Sequence, residues 1–194
     1  MSIGDVNYVG PVAGATLLAN AFKSVLLASV LMLIYIAFRF DFNSGVAAVF
    51  GLIHDVLMML AFMVLLRSIV QMNSSFIAAM LTIVGYSINN TIVIFDRIRE
   101  NARKMPGTAA RDEVVNKSIK ECLGRTINTT LTTLITIVAL YVLGVASIKE
   151  FALPIIIGIV SGVYNANMIN GYVWAALEEK KRKNGGKLLK VKKA

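Results

Sequence analysis

Five blocks of apolar residues run through this chain, each long enough to cross a bilayer and each bounded by polar or charged positions. They are Ala21–Phe38, Ser44–Leu66, Phe76–Phe95, Thr126–Leu143 and Phe151–Leu177. A transmembrane helix needs roughly 17–25 mainly apolar residues, so each block predicts one span. The longest connection, Arg97–Gly124, is broken at Met105-Pro106-Gly107, and Thr108 follows as a helix cap. Beyond it Val115, Ile119, Cys122 and Leu123 recur at i, i+4, i+7 and i+8, opposite Arg111, Asp112, Asn116, Lys117 and Lys120. That spacing predicts an amphipathic helix over about 108–123, lying on the cytoplasmic membrane face. The expected fold class is therefore all-α integral membrane, a bundle of five transmembrane helices plus a cytoplasmic amphipathic helix. Residues 1–20 read as an extracytoplasmic N-terminal segment with a turn at Gly10-Pro11, 21–177 as the membrane domain and 178–194 as a basic cytoplasmic tail. No internal repeat and no second domain are evident.

Composition supports the membrane reading. The chain is 57% hydrophobic and 16% charged, with a mean hydropathy of +0.70, well outside the ordinary soluble range. Its net charge of +9 raises nucleic acid as a partner, but the distribution points elsewhere. Seventeen of the twenty lysines and arginines fall on one side of the membrane when the loops are alternated. They include Arg39, the cluster from Arg97 to Arg125 and the tail from Lys180, whereas Lys23, Arg67 and Lys149 fall on the other side. The positive-inside rule makes the basic side cytoplasmic, with the N-terminus outside and the C-terminus inside. The tail is expected to be disordered and drawn to anionic lipid headgroups; ribosomal RNA or a nascent-chain complex is the alternative. Met1–Asn20 lacks the charged and apolar regions of a signal peptide. Its outside location favours a piece of a longer protein. The single cysteine, Cys122, excludes an intrachain disulfide and reads as a small apolar residue on a helix face.

Polar residues inside the apolar blocks supply the candidate chemistry. Asp55 falls near the bilayer midplane, where an ionised carboxylate costs roughly 2.5–3.5 kcal/mol on insertion scales. It is either a proton- or ion-responsive group or a structural hydrogen-bond acceptor. His54, one residue away, points about 100° around the helix and is not its natural partner. Tyr86 and Asn90 share one face of the third span, with Asn89 on a neighbouring line. Their amides either line a path or hold helices together. Asp96, followed by Arg97 and Arg99, reads first as an interfacial ion pair. Arg125 heads a stripe of Thr129, Thr132, Thr133 and Thr136 beside Asn128. Threonines often bond back to their own helix, whereas an arginine needs an acceptor or water. Gly158 and Gly162 form a close-packing pair, followed by Tyr164, Asn165, Asn167 and Asn170, a wet pocket or a partner contact. With one histidine, no metal-ligand cluster, no phosphate-cradling loop and no nucleophile–base pair, neither an enzyme nor a cofactor is expected.

The stretch Gly85-Tyr86-Ser87-Ile88-Asn89-Asn90-Thr91 followed by Phe95-Asp96-Arg97-Ile98-Arg99-Glu100 resembles a signature of the SecD/SecF family, SecF type. Val9-Gly10-Pro11, Tyr35–Phe40, His54-Asp55-Val56 and Arg125–Thr133 agree in order, so the resemblance covers nearly all of residues 8–177. It implies a resistance-nodulation-division membrane fold and an accessory subunit of the Sec translocase. Such a subunit works with SecD and the SecYEG channel on a translocating polypeptide, and couples a proton or sodium gradient to late export. The family's first helix and extracytoplasmic domain would precede Met1, which implies a truncated, partial or split form. In the family an acid in the third of these spans and an arginine in the fourth line the presumed ion path. Arg125 matches the arginine, but Asn90 stands at the acid and cannot ionise. The alternatives to coupling are a passive structural subunit of the same complex and a small-molecule exporter of the same superfamily.

Overall fold

The protein is described here by a computed structural model covering residues 11–66, 74–106 and 109–183. Six α-helices follow one another, α1 (Pro11–Arg39), α2 (Phe42–Leu65), α3 (Ser74–Lys104), α4 (Arg111–Leu143), α5 (Ala146–Asn165) and α6 (Gly171–Lys183), with a π-helical turn, Ala166–Asn170, between the last two. Among the described residues there is no strand. Among the described residues four helical stretches are long and apolar enough to cross a membrane: Phe42–Leu65, Ser75–Lys104, Arg111–Leu143 and Ala146–Lys183. The first expected span, Ala21–Phe38, lies inside α1. Large apolar side chains such as Leu27, Phe50, Ile135 and Leu143 are exposed on the outside of the bundle, as a protein solvated by lipid requires. This is a multi-pass, all-α membrane protein.

Three local features differ from the sequence expectation. The amphipathic stretch over 108–123 is not a separate element. From Arg111 it is the first half of α4, continuous with the span that ends at Leu143. No proline interrupts it, and Gly124 sits in open space where a helix tolerates it. Its apolar face, with Val114, Val115 and Cys122 buried, packs on protein. The helix carrying the last apolar block, Phe151–Leu177, likewise starts earlier than that block: α5 is helical from Ala146, and Pro154 lies in its interior. Finally, the π-helical turn divides the last apolar block. An α-helix would set Asn165 and Asn170 about 140° apart; the wider turn brings both inward, and both are fully buried. Lys180–Lys183, expected in the tail, close α6. The cap at Thr108, the segment 1–10 and residues from 184 onward lie outside the described residues.

Three apolar clusters hold the helices among the described residues. One contains Ile36, Ala47, Ile94, Phe95, Val114, Val115 and Trp174; a second contains Met59, Met63, Phe76, Met80, Ile83, Ile155 and Ile159; the third is Leu52, Val84 and Ile88. Asp41 starts α2 by accepting from the Ser44 amide at 3.3 Å and hydroxyl at 2.7 Å, and it also accepts from Trp174 Nε1 of α6 at 3.3 Å. Asn43 Nδ2 donates to the buried Glu178 at 2.6 Å, tying the same two helices again. Helices α3 and α4 run antiparallel, since Tyr86 meets Thr130 while Asn101 meets Ser118. Beyond their apolar spans they are clamped by a polar network. Arg97 donates to Glu121 at 2.6 Å and to Glu100 at 2.5 Å, and Asn101 Nδ2 donates to Glu121 at 2.7 Å. The Asn101 hydrogen bond and the Arg97 guanidinium hold Glu121 below the usual carboxylate range.

At Gly158 α5 packs tightly on α3, because a Cβ there would meet Ile83 Cγ1 at 2.5 Å. Gly158→Val is expected to cost about 1–3 kcal/mol through overpacking, whereas Gly85→Ala, in open space, is neutral or slightly stabilising. Unfolding midpoints in detergent check both. Because Glu121 titrates lower in the folded protein, its contribution to stability is full above the ordinary carboxylate range and disappears as pH falls through its depressed value. Glu121→Gln is therefore expected to flatten the acid limb of a stability-versus-pH curve and to leave its shape at neutral pH unchanged.

Candidate functional site

Between the two larger apolar clusters lies a polar layer centred on Asp55, whose side chain is fully buried. Its carboxylate accepts three hydrogen bonds from two neighbouring helices. Ser87 of α3 donates to Oδ2 through a very short hydrogen bond. From α5, Ser161 Oγ donates to Oδ1 at 3.1 Å and Asn165 Nδ2 to Oδ2 at 3.1 Å. The fourth neighbour is His54, with Nδ1 at 3.2 Å from Oδ1. This corrects the expectation that His54 points away. The imidazole folds back along the helix, which its two side-chain torsions allow despite the 100° between adjacent residues. Ser87, Ser161 and Asn165 are all buried, whereas the His54 side chain is 25% exposed. Among these neighbours His54 alone reaches the outside of the bundle.

Small residues make the layer possible. Gly162 lies against Asp55 Oδ2 and the Ser87 Cβ, each 3.5 Å from where its own Cβ would be. Gly51, one turn before Asp55, leaves its space to the Asn170 side chain, and its carbonyl accepts from Asn165 Nδ2 at 2.7 Å. Asn170 Nδ2 continues to Thr91 Oγ1 at 2.8 Å. Four amide atoms of the layer are buried without a partner: Asn90 Nδ2 and the Oδ1 atoms of Asn165, Asn167 and Asn170. Orphaned buried polar atoms in such number mark places where water or a partner completes the bonding.

The remaining sequence candidates do not converge on Asp55. Tyr86 is half-buried, and its hydroxyl approaches Thr130 Oγ1 at 3.4 Å. Asn90 is buried, but Asn89 is exposed. Arg125 is exposed, and its guanidinium makes no hydrogen bond or ion pair among the described residues. Thr129 donates back to the Arg125 carbonyl at 2.9 Å, and Thr132, Thr133 and Thr136 each return to their own helix in the same way. The threonine stripe is thus self-satisfied. Asp96 pairs with Arg39 of α1 at 3.4 Å in an exposed contact, rather than with its sequence neighbours Arg97 and Arg99. Gly158 and Gly162 do face α3, as the close-packing spacing requires.

Ser87, Ser161 and Gly51 are not among the sequence candidates, although spacing points to the last two. Ser161 lies one turn before Asn165 and next to Gly162, and Gly51 lies one turn before Asp55. Among the described residues there is no cluster of three or more side chains suited to a metal ion.

An apolar helical bundle with a buried aspartate held by hydroxyls and amides from facing helices defines an integral membrane protein with a polar core. Over residues 1–180 the chain matches the family described as protein export membrane protein SecD/SecF, C-terminal. It is 44% identical over 182 residues to the protein translocase subunit SecF of Alicyclobacillus acidocaldarius, covering 92% of this chain and 58% of that protein. To the protein translocase subunit SecDF of Thermus thermophilus it is 46% identical over 158 residues, covering 81% of this chain and 21% of that one. The crystal structure of SecDF from Thermus thermophilus, described as a translocon-associated membrane protein, matches with a TM-score of 0.77 at 42% identity over 82% of this chain and 22% of that one. The chain belongs to the SecD/SecF C-terminal family, and the resemblance carried by Gly85–Glu100 is borne out. It spans little more than half the length of the SecF relative and about a fifth of the SecDF relative.

Replacing Asp55 by leucine strands the donors on Ser87, Ser161 and Asn165 in an apolar setting. Each unsatisfied buried donor costs roughly 1–3 kcal/mol, so Asp55→Leu is expected to destabilise by on the order of 3 kcal/mol or more. Asp55→Asn, which keeps an acceptor in place, is expected to lose less than half as much. Chemical unfolding in detergent micelles compares the two.

Proposed function

We propose that this chain is the membrane portion of an accessory subunit of the Sec translocase. It pairs with SecD beside the SecYEG channel and couples an ion gradient to late steps of protein export. The observation that carries the coupling is the bonding of Asp55. As a carboxylate it is an acceptor only, and every hydroxyl and amide aimed at it donates. A proton arriving at Asp55 turns one oxygen into a donor, and a cation takes up lone pairs that the donors now use. At least one of Ser87, Ser161 and Asn165 then has to turn away or accept instead. Those groups sit on α3 and α5, so occupancy at Asp55 favours one of two packings of the bundle. His54 is the route by which protons reach the carboxylate from outside the layer. The chemistry is transport, with no catalysed covalent step.

Asn90 and Arg125 complete this reading. Asn90 leaves a buried donor unpartnered at the position where the resemblance puts an acid. Arg125 presents an unpaired cation from the outer face of α4. An acceptor from SecD satisfies both, so that the ion path is shared between the subunits. The basic ends face the cytoplasm, in the bacterial inner membrane, with the N-terminal side of α1 outside; membrane lipids cover the remaining apolar surface.

The second reading, a passive subunit retained for assembly, is favoured by one specific feature: the residue matched to the family acid is an amide. Two substitutions separate the readings in cells that lack their own SecF, with secretion of a Sec-dependent reporter followed before and after the gradient is dissipated. Asp55→Asn is expected to abolish the gradient-dependent part of export while the protein remains inserted. Asn90→Asp is expected to increase that part. Unchanged export in both variants would leave the passive role.

A further inference from the structure

A second polar site lies away from the Asp55 layer, where the first turn of α4 meets α6. A cavity of about 500 Å³ opens there, lined by Arg111, Asp112, Tyr172, Glu179 and Arg182 and by alanines of both helices. Small-molecule sites begin at roughly this size, around 300 Å³ and upward. Arg111 is only 9% exposed, and its Nε is buried without a hydrogen-bond partner. No other interaction of its guanidinium exists among the described residues. A guanidinium keeps its charge at any relevant pH, so burial without an acceptor is unfavourable unless something fills the cavity. The same cavity receives the amino end of a 33-residue helix whose N-cap, Ala110, provides no side-chain bond. The first-turn amides of α4 therefore add donors and a partial positive charge.

We propose that this cavity binds a phosphate diester that also carries a primary amine, the chemistry of a phosphoethanolamine group. The phosphate lies against Arg111, Arg182 and the α4 amino end, an arrangement suited to its oxygens. The amine lies against Asp112 and Glu179. None of these four charged side chains forms an ion pair with another. Their two carboxylates disfavour inorganic phosphate alone, which has no cation to offer them. Tyr172 braces the wall, its hydroxyl donating to Asn116 Oδ1 at 2.6 Å. The ligand is either a lipid headgroup or a soluble phosphodiester, since both present the same atoms.

The test uses the full chain in nanodiscs of phosphatidylcholine doped with phosphatidylethanolamine or phosphatidylglycerol, with retained lipid read by native mass spectrometry. The expected result is selective retention of phosphatidylethanolamine, weakened about 10-fold or more in Arg111→Gln and in Arg182→Gln, as for a lost charge-assisted bond. Glu179→Gln is expected to shift the preference toward phosphatidylglycerol; it leaves both arginines in place, so it stands if Arg111→Gln fails to fold. Displacement of the lipid by millimolar glycerophosphoethanolamine identifies a soluble ligand, and resistance to displacement identifies a lipid one. Equal retention of the three lipids, or retention unchanged in both arginine variants, would overturn the proposal.

Discussion

The geometry of this bundle is dictated by the need of one buried carboxylate for partners. Asp55 lies where neither water nor lipid can solvate it, so its hydrogen bonds have to come from protein. They come from Ser87 on α3 and from Ser161 and Asn165 on α5. Serine and asparagine side chains are short. Their reach fixes both the distance between these helices and the rotation of each about its own axis. The apolar clusters above and below supply most of the contact area, yet they tolerate sliding far better than a hydrogen bond does.

Close approach is the second half of the same constraint. A serine hydroxyl reaches Asp55 only if the backbones nearly touch. Gly51, Gly158 and Gly162 remove the side chains that would keep them apart. The π-helical turn serves the same purpose from α5, because it keeps Asn170 on the interior side beside Gly51 after Asn165 has already been committed to Asp55. Removing the extra residue of that turn would rotate α6 about 100° and carry Trp174 out of the apolar cluster it closes.

Much of this was legible in the chain, and what was not has a physical cause. Span number and position follow from apolar length, a strong signal. The importance of Asp55 follows from its depth, and the family from Gly85–Glu100. The partners of Asp55 were not readable, because Ser87, Ser161 and Asn165 lie 32 to 110 residues away and nothing local links them. Periodicity finds a face but does not say what it meets: the Arg125 stripe satisfies itself and points outward, while the equally regular Ser161–Asn165 pair points inward. The contact of His54 with Asp55 is invisible to a helical wheel, which gives where a side chain leaves the backbone and not where its end arrives. The division of the last span at Ala166 was hidden because π-helical and α-helical residues have the same apolar appearance.

The sequence separation of these contacts has a consequence in time. Asp55 leaves the ribosome 106 residues before Ser161 and 110 before Asn165. At synthesis rates of about 5–20 residues per second, α2 waits roughly 5–20 seconds for the helix that solvates its carboxylate. During that interval the charge must be neutralised by a proton, kept in the headgroup region or sheltered by another protein. The group that organises the finished bundle is thus its greatest liability during synthesis, and α2 settles at its final depth only after α5 has been made.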